Sequence, residues 1–200
     1  LQEPSKTPTN FEFTAPANLK TFRIAISTTG QYTAYHGQNI SGALAAINAT
    51  LTRVNGIYEN EIGVHFELVE QVEKLCYLNR FSDPYFENLG GDLQEVLDDV
   101  IGDENYDIGH LFHQDRNSGN AGFVGATCQT GKKGSAYSAG ENPEGALFDI
   151  DYVCHEIGHQ MGANHTWSFQ SENTGVQFEP GSGSTIMAYA GIVEGETLQE

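Results

Sequence analysis

The chain has 200 residues, 38% of them hydrophobic, which suits a single compact unit with a sizeable core. Its formal net charge of −18 disfavours binding to nucleic acid or to anionic lipid by simple electrostatics. The same charge would attract cationic peptides, although solubility in a salty exterior explains it more simply. No apolar run approaches the roughly 20 residues that a membrane-spanning helix needs, so we expect no membrane insertion.

The first part of the chain alternates between strand and helix patterns. A start rich in Pro, Thr and Asn predicts an extended tail over 1–21. Alternating hydrophobicity predicts a strand over 22–27 and a second strand over 64–69. Between them, apolar residues at helical spacing predict a helix over 41–58, with Ser41 as its N-cap.

The middle of the chain predicts a second helix and two more strands. Gly91 leads into a helix over 93–101, and the apolar run over 106–112 is typical of a short buried strand. A strand at the edge of the sheet follows over 123–128. After it comes a glycine-broken segment that reaches Gly140.

A longer helix is predicted over 148–162. Asp149 or Asp151 is favourably placed in its first turn, where a negative charge complements the helix dipole. The chain beyond Gly162 has little pattern of regular structure.

The end of this helix carries the sequence HEIGHQMGANH, which indicates a metal site. His155 and His159 are four residues apart, so on a helix they point to the same side and can bind one ion. Gly162 lets the backbone leave the helix through a left-handed or crowded conformation, and His165 can then return as a third ligand. We therefore predict Zn²⁺ bound by three histidines, with a fourth position open for water.

Glu156 is the predicted general base. It lies about 100° around the helix from His155, which puts its carboxylate beside the ion but off the ligand axis, where it can take a proton from an activated water. A thiolate from Cys154 would close the coordination and make the site structural. We reject that role, because on a helix the Cys154 side chain points about 100° away from His155.

Three cysteines, Cys76, Cys128 and Cys154, permit at most one internal disulfide bridge. We expect Cys154 to be a buried thiol or to form a bridge with one of the other two. Clustered acidic residues are possible ligands for Ca²⁺, although they lack the regular EF-hand spacing. They are Asp98, Asp99, Asp103, Glu104, Asp149 and Asp151.

The extended pattern HExxHxxGxxH resembles that of the metzincin metalloproteases, which also carry a methionine turn downstream. Met187, in GSGSTIMAYAG, is similar to that turn methionine, and the resemblance implies that it packs beneath the three histidines as a hydrophobic floor. In astacin-like and serralysin-like relatives a tyrosine two places later approaches the zinc. Tyr189 has that position here, with ordinary packing as the alternative.

Other segments are similar to the bacterial secreted reprolysin-like (adamalysin-like) peptidases. NAGFVGATCQTGKKGSAYSAG resembles the strand that forms the upper edge of their cleft, which implies that an extended substrate pairs with the four residues Gly122, Phe123, Val124 and Gly125. The implied fold is α/β (α+β), with a twisted mixed sheet and a long active-site helix in a larger upper subdomain (about 22–162). A small irregular lower subdomain (about 163–200) completes the catalytic domain, 22–200.

Two positions depart from the related sequences. Thr166 follows the third histidine where the animal branch has aspartate, which puts close membership of that branch in doubt. Val193 follows the turn where related sequences often place cysteine, which removes a disulfide partner.

These observations predict a secreted zinc endopeptidase that acts on proteins or peptides as a monomer. The chain begins with Leu1 and has no basic-then-apolar leader, so we expect that a signal peptide and any propeptide were removed or left out of this sequence. The resemblance to secreted bacterial proteins also suggests additional C-terminal domains in the full gene product. The alternative is a catalytically silent zinc-binding module with an adhesive or structural role.

Overall fold

The computed structural model describes residues 19–190 of the chain. It contains one mixed five-stranded sheet in the order β2-β1-β3-β5-β4. β1 pairs in parallel with β2 and β3, β3 pairs in parallel with β5, and β4 is antiparallel to β5. The strands are β1 Lys20–Thr28, β2 Val64–Leu68, β3 Ile108–Gln114, β4 Ser118–Asn120 and β5 Ala136–Gly140. The predicted α/β fold with a mixed sheet is confirmed.

Four α-helices accompany the sheet, and two short 3₁₀ turns lie at Val72–Leu75 and Asp103–Asn105. The helices are α1 Gly30–Tyr35, α2 Ile40–Ile62, α3 Leu89–Val100 and α4 His155–Gln160. Among residues 19–190, no helix is both long enough and apolar enough to cross a membrane.

The N-caps of α2 and α3 are both asparagines. Asn39 precedes α2 and its side chain accepts a hydrogen bond from the Gly42 amide at 2.8 Å, so the prediction of Ser41 as the cap was wrong. Asn88 has the same role before α3 and accepts from the Gly91 amide at 3.3 Å. α3 therefore begins one turn earlier than the predicted residue 93.

Alternation along the strands divides the core between the two faces of the sheet. Ile24 and Ile26 of β1 face a cluster built with α2 and the helix that leads into α4. Ala25, between them, faces a second cluster built with α3, where Leu93 and Leu97 are fully buried. Each fully buried Leu or Ile contributes about 2 kcal/mol to folding by leaving water. The active-site helix is thus held against the sheet by packing on one face.

The strand predicted over 123–128 is not formed, and that prediction was wrong. Residues 122–125 instead form a turn in which Gly122 and Gly125 have φ values of +69° and +74°. Such values interrupt an extended strand. The turn packs on the end of α4, where the amide of Gly125 donates to His159 O at 2.8 Å. The edge strand lies earlier, at β4, whose outer side pairs with no other strand of residues 19–190.

Residues 19–190 include most of the predicted catalytic domain, 22–200, but not its last ten residues. β1 begins at Lys20, two residues before the predicted strand. The predicted tail lies mostly outside the described residues, as do Val193 and the last part of the lower subdomain. Between Met161 and Ala190 the chain forms turns and one isolated bridge, Trp167 to Glu179. The division into upper and lower subdomains stays a prediction.

Candidate active site

The helix that carries the histidines begins as a π-helix. Leu147–Cys154 has the wider π geometry and passes directly into α4 at His155, where the sequence predicted one regular helix. A π segment within a helix is frequent at functional sites. Asp149 lies in the first turn of this segment, as predicted. It also accepts a hydrogen bond from Thr50 Oγ1 at 2.7 Å and pairs with Arg53, both on α2. This anchors the active-site helix to its neighbour.

The structure brings the three predicted histidines together around one point. The Nε2 atom of His155 lies 3.1 Å from that of His159 and 3.2 Å from that of His165, and the third separation is 3.1 Å. Tetrahedral nitrogen donors bound to zinc lie about 3.3 Å from one another, given Zn–N bonds of about 2.0–2.1 Å. The three side chains therefore fit a zinc ion.

Hydrogen bonds at Nδ1 of His155 and His159 leave Nε2 as the nitrogen that faces the centre of the histidine cluster. Nδ1 of His155 lies 2.6 Å from Ile186 O, and Nδ1 of His159 lies 2.8 Å from Ala163 O. Carbonyl oxygens only accept, so each Nδ1 carries the hydrogen and each Nε2 carries a lone pair. Burial lowers the pKa of His155 to about 4, which keeps its ring neutral near pH 7. Lone pairs that converge in this way are stabilised by a cation between them.

His165 reaches the site through the turn after α4. Gly162 has φ of +108°, a conformation that side chains rarely adopt, and its amide donates to His159 O at 2.9 Å. His165 then returns with Nδ1 against the carboxylate of Glu172, at 2.9 and 3.1 Å to the two oxygens. The turn thus allows the third ring to face the other two.

Glu156 follows His155 on α4 and is buried against the edge strand. Its side chain is only slightly exposed, and burial raises its pKa to about 7, although a hydrogen bond from the Ala121 amide opposes that shift. Gly119 of β4 lies directly against it, since a Cβ atom at position 119 would be 2.4 Å from Glu156 Oε1. The carboxylate therefore contacts the backbone of the strand beside which a peptide could lie.

Met187 and Tyr189 both lie at the histidine cluster. Met187 packs against the helix at Gly158, where a Cβ atom would come within 2.4 Å of the sulfur. The Tyr189 ring centroid lies 4.5 Å from that of His165 and 5.9 Å from that of His155. Both residues are thus in contact with the part of the chain that holds the histidines.

A comparison with protein families matches residues 18–200 to the family described as Metallo-peptidase family M12B Reprolysin-like. The chain belongs to this family of zinc metallopeptidases. The predicted resemblance to reprolysin-like metzincins is confirmed, and so is zinc as the metal that the family uses.

Among solved structures, metalloproteinase-II from Bacteroides fragilis is similar to this M12B metallopeptidase at 13% sequence identity, with a TM-score of 0.40. The match covers 75% of this chain and 45% of that chain, so this chain spans less than half the length of that structure. A comparison with curated proteins found no match.

In this M12B metallopeptidase, Glu179 connects the segment after the third histidine to the methionine turn. The sequence analysis did not identify this carboxylate. Glu179 accepts hydrogen bonds from the hydroxyls of Thr166 and Thr185 and from the amides of Ser184 at 2.7 Å and Thr185 at 3.2 Å. Burial alone would raise the pKa of Glu179, but these hydrogen bonds lower it to about 2. Thr166 therefore contacts a carboxylate supplied from elsewhere in the chain.

The cysteines form no disulfide bridge. All three are free thiols, so the disulfide bridge that the sequence allowed is not formed. Cys154 is a buried thiol, which was the other predicted possibility. Burial raises the pKa of Cys154 to about 12, and its carbonyl oxygen accepts a hydrogen bond from the Tyr58 hydroxyl at 2.8 Å. Cys154 is not part of the histidine cluster.

The prediction of calcium receives no support. Within residues 19–190 the only group of three or more potential metal-ligand side chains is the histidine cluster. Protein donors already engage several of the suspected carboxylates. Asp103 pairs with Lys133 and accepts from Thr130, and Asp98 accepts hydrogen bonds from Tyr106 and Gln94.

Proposed function

We propose that this chain is a zinc-dependent endopeptidase that hydrolyses peptide bonds in proteins, with Glu156 as general base. One observation carries the proposal. The Nε2 atoms of three histidines converge within 3.2 Å of one another, and Glu156 follows His155 directly on α4, where its side chain is buried. A purely structural zinc site would need a fourth protein ligand, and no further His, Cys, Asp or Glu side chain of residues 19–190 joins this cluster.

In the reaction, the chain's own groups position water and move protons. Bound zinc would act as a Lewis acid and lower the pKa of water from 15.7 to about 7. Glu156 takes a proton from the attacking water and then gives it to the leaving amine. Burial raises the pKa of Glu156 to about 7, which suits a group that takes up and releases a proton near neutral pH. No covalent intermediate between enzyme and substrate is involved.

Tyr189 has two candidate roles. Its ring lies against two of the histidines, from where its hydroxyl could donate a hydrogen bond to the oxygen of the reacting carbonyl. The alternative is packing that only supports the rings. A Tyr189→Phe variant separates them, because it keeps the packing and removes the donor.

The edge strand β4 is the proposed docking surface for the substrate. An extended peptide can add to an unpaired strand edge through backbone hydrogen bonds. Gly119 contacts Glu156, while its neighbours Ser118 and Asn120 line a cavity of about 970 Å³. Since side chains alternate along a strand, alternate side chains of a paired peptide would enter that cavity. β4 replaces the predicted docking residues 122–125 in this role.

Charge and composition suggest where the enzyme works and on what. The net charge of −18 favours cationic peptides over acidic ones and favours solubility outside the cell. We propose that the protein is secreted and acts as a monomer. The resemblance to secreted bacterial peptidases also favours a propeptide or further domains in the full gene product. Each of these is a separate proposal from the hydrolytic activity.

A peptide-cleavage assay with mass-spectrometric mapping of products tests the proposed function. The zinc-loaded protein should cut peptides at internal bonds, lose this activity with a chelator and regain it when zinc is returned. Glu156→Ala should retain zinc and lose nearly all turnover, whereas His159→Ala should lose both. Normal cleavage by Glu156→Ala would contradict the mechanism, and a zinc-loaded wild type that cuts nothing would indicate the catalytically silent module.

A further inference from the structure

We propose that Glu172 is a positioning residue that orients His165 and strengthens zinc binding by placing a negative charge on the far side of its ring. This inference deepens the proposed function, because it concerns the same metal site. It rests on contacts of Glu172 that neither the sequence motif nor the family match assigns.

The three histidines differ in what holds their outer nitrogens. His155 and His159 donate to backbone carbonyls, which are neutral. His165 instead donates to both oxygens of the Glu172 carboxylate, at 2.9 and 3.1 Å. A carboxylate on a ligating histidine fixes its orientation and raises the basicity of the nitrogen that faces the metal. The third ligand is therefore the one with charged support.

The position of Glu172 is itself fixed by the loop that carries it. The Glu172 amide donates to Gln177 Oε1 at 2.9 Å, and Gln177 Nε2 donates to Gln170 O at 2.8 Å. These bonds close the loop on itself on both sides of Glu172. The carboxylate is consequently held toward His165 by its own backbone, although about 30% of the side chain is exposed.

His165 most needs such support because it lies outside the helix. His155 and His159 belong to α4, whose backbone sets their directions, whereas His165 follows the turn at Gly162. Two aromatic rings contact it. Trp167 is stacked on it at 5.4 Å between centroids, and Tyr189 makes a T-shaped contact at 4.5 Å. Those contacts restrict the tilt of the ring, while Glu172 defines its rotation and its protonated nitrogen.

Charge gives Glu172 a second effect. Three neutral imidazoles leave the two positive charges of zinc uncompensated. Glu172 places a negative charge against the outer nitrogen of His165, so that part of the charge of the ion is compensated when it binds. Removal of the Glu172 charge should therefore weaken zinc binding even where the hydrogen bond is kept.

The test measures zinc affinity by competition with a chromophoric chelator, which needs no substrate. Glu172→Gln keeps the shape and an acceptor oxygen but removes the charge, and we expect a 10–100-fold increase in the zinc dissociation constant. Glu59→Gln is a matched control, because Glu59 contacts His65 Nδ1 at 2.7 Å on the surface. The control should bind zinc as the wild type does.

Two further measurements separate positioning from a general loss of structure. The thermal midpoint of the metal-free Glu172→Gln protein should equal that of Glu59→Gln, since neither change removes a buried side chain. Glu172→Asp, which keeps the charge on a shorter side chain, should bind zinc with intermediate affinity. Zinc affinity of Glu172→Gln within twofold of the wild type would overturn the inference. Tight, Glu172-dependent zinc binding without any peptide cleavage would instead contradict only the proposed function.

Discussion

A methyl group at Gly119 should disable the general base without disturbing the metal. Gly119 lies on the edge strand, and a Cβ atom there would be 2.4 Å from Glu156 Oε1, 2.8 Å from Cγ and 2.9 Å from Cδ. Real Cβ atoms do not approach other atoms this closely, so the carboxyl group must move. Because the obstacle is the end of a flexible side chain, Gly119→Ala should fold normally with Glu156 displaced.

The size of the effect follows from the displacement. An ordinary contact of about 3.4 Å requires Glu156 Oε1 to retreat by about 1 Å, and a misplacement of about 1 Å can cost roughly 100-fold in rate. We expect kcat/KM to fall by about 100-fold, which corresponds to about 2.7 kcal/mol of transition-state stabilisation. The loss should lie mainly in kcat, since Glu156 acts on the attacking water.

The assay compares peptide cleavage, zinc content and thermal stability of Gly119→Ala with those of Gly56→Ala. Nothing lies within 4 Å of a Cβ atom at Gly56, which is inside α2. That control should keep full activity and gain about 0.5–1 kcal/mol of stability. Wild-type kcat in Gly119→Ala would refute the reasoning. Loss of zinc from that variant would also refute it, because the change should leave the histidines in place.

Three further predictions concern stability. Glu179→Gln should lower the free energy of unfolding in urea by about 1–2 kcal/mol above pH 4.5, after allowance for solvent screening, because it weakens the closure of the methionine turn. This difference from wild type should vanish as the pH falls towards 2, the lowered pKa of Glu179. Burial lowers the pKa of His110 to about 4, so the unfolded chain takes up this proton first as the pH falls. His110 should therefore contribute up to about 3 kcal/mol to the loss of stability of the metal-free protein between pH 6.5 and 4, and His110→Gln should lack that part of the pH dependence in urea unfolding. Leu97→Ala should cost about 2–5 kcal/mol by urea unfolding, since Leu97 is fully buried under the sheet, and a cost below 1 kcal/mol would contradict the assigned core.

The sequence was most informative where a local pattern determines a local structure. Alternation and helical spacing predicted β1, α2 and β3 to within a few residues, because the strands are buried among apolar neighbours and the helix packs one apolar face on the sheet. The histidine motif predicted which rings would meet, since helix geometry sets the directions of two of them. The π-helix before α4 was not predicted, because its side-chain periodicity differs little from that of an α-helix over eight residues.

Errors arose where several residues could satisfy the same requirement. Asn39 and Ser41 are both good N-cap residues, and nothing in the local sequence decides between them. The apolar residues around Phe123 predicted a strand, but two glycines with positive φ and the contact with the end of α4 turned this segment into a loop. The edge strand is therefore Ser118–Asn120 and not the predicted segment 123–128.

The supporting carboxylates were beyond sequence reasoning. Glu172 and Glu179 lie in a segment without regular structure, where spacing carries no information about direction. Their roles depend on how the loop after His165 folds back on itself through contacts such as that between Glu172 and Gln177. A carboxylate a few residues after a third histidine is a weak signal that a search of related sequences could strengthen.

X-ray absorption at the zinc edge of the loaded, substrate-free protein tests the central claim most directly. The account predicts three nitrogen donors from His155, His159 and His165 at about 2.0–2.1 Å and one oxygen donor from water. A sulfur donor at about 2.3 Å, or a fourth nitrogen in place of the oxygen, would contradict it, because either would close the position that the reaction requires.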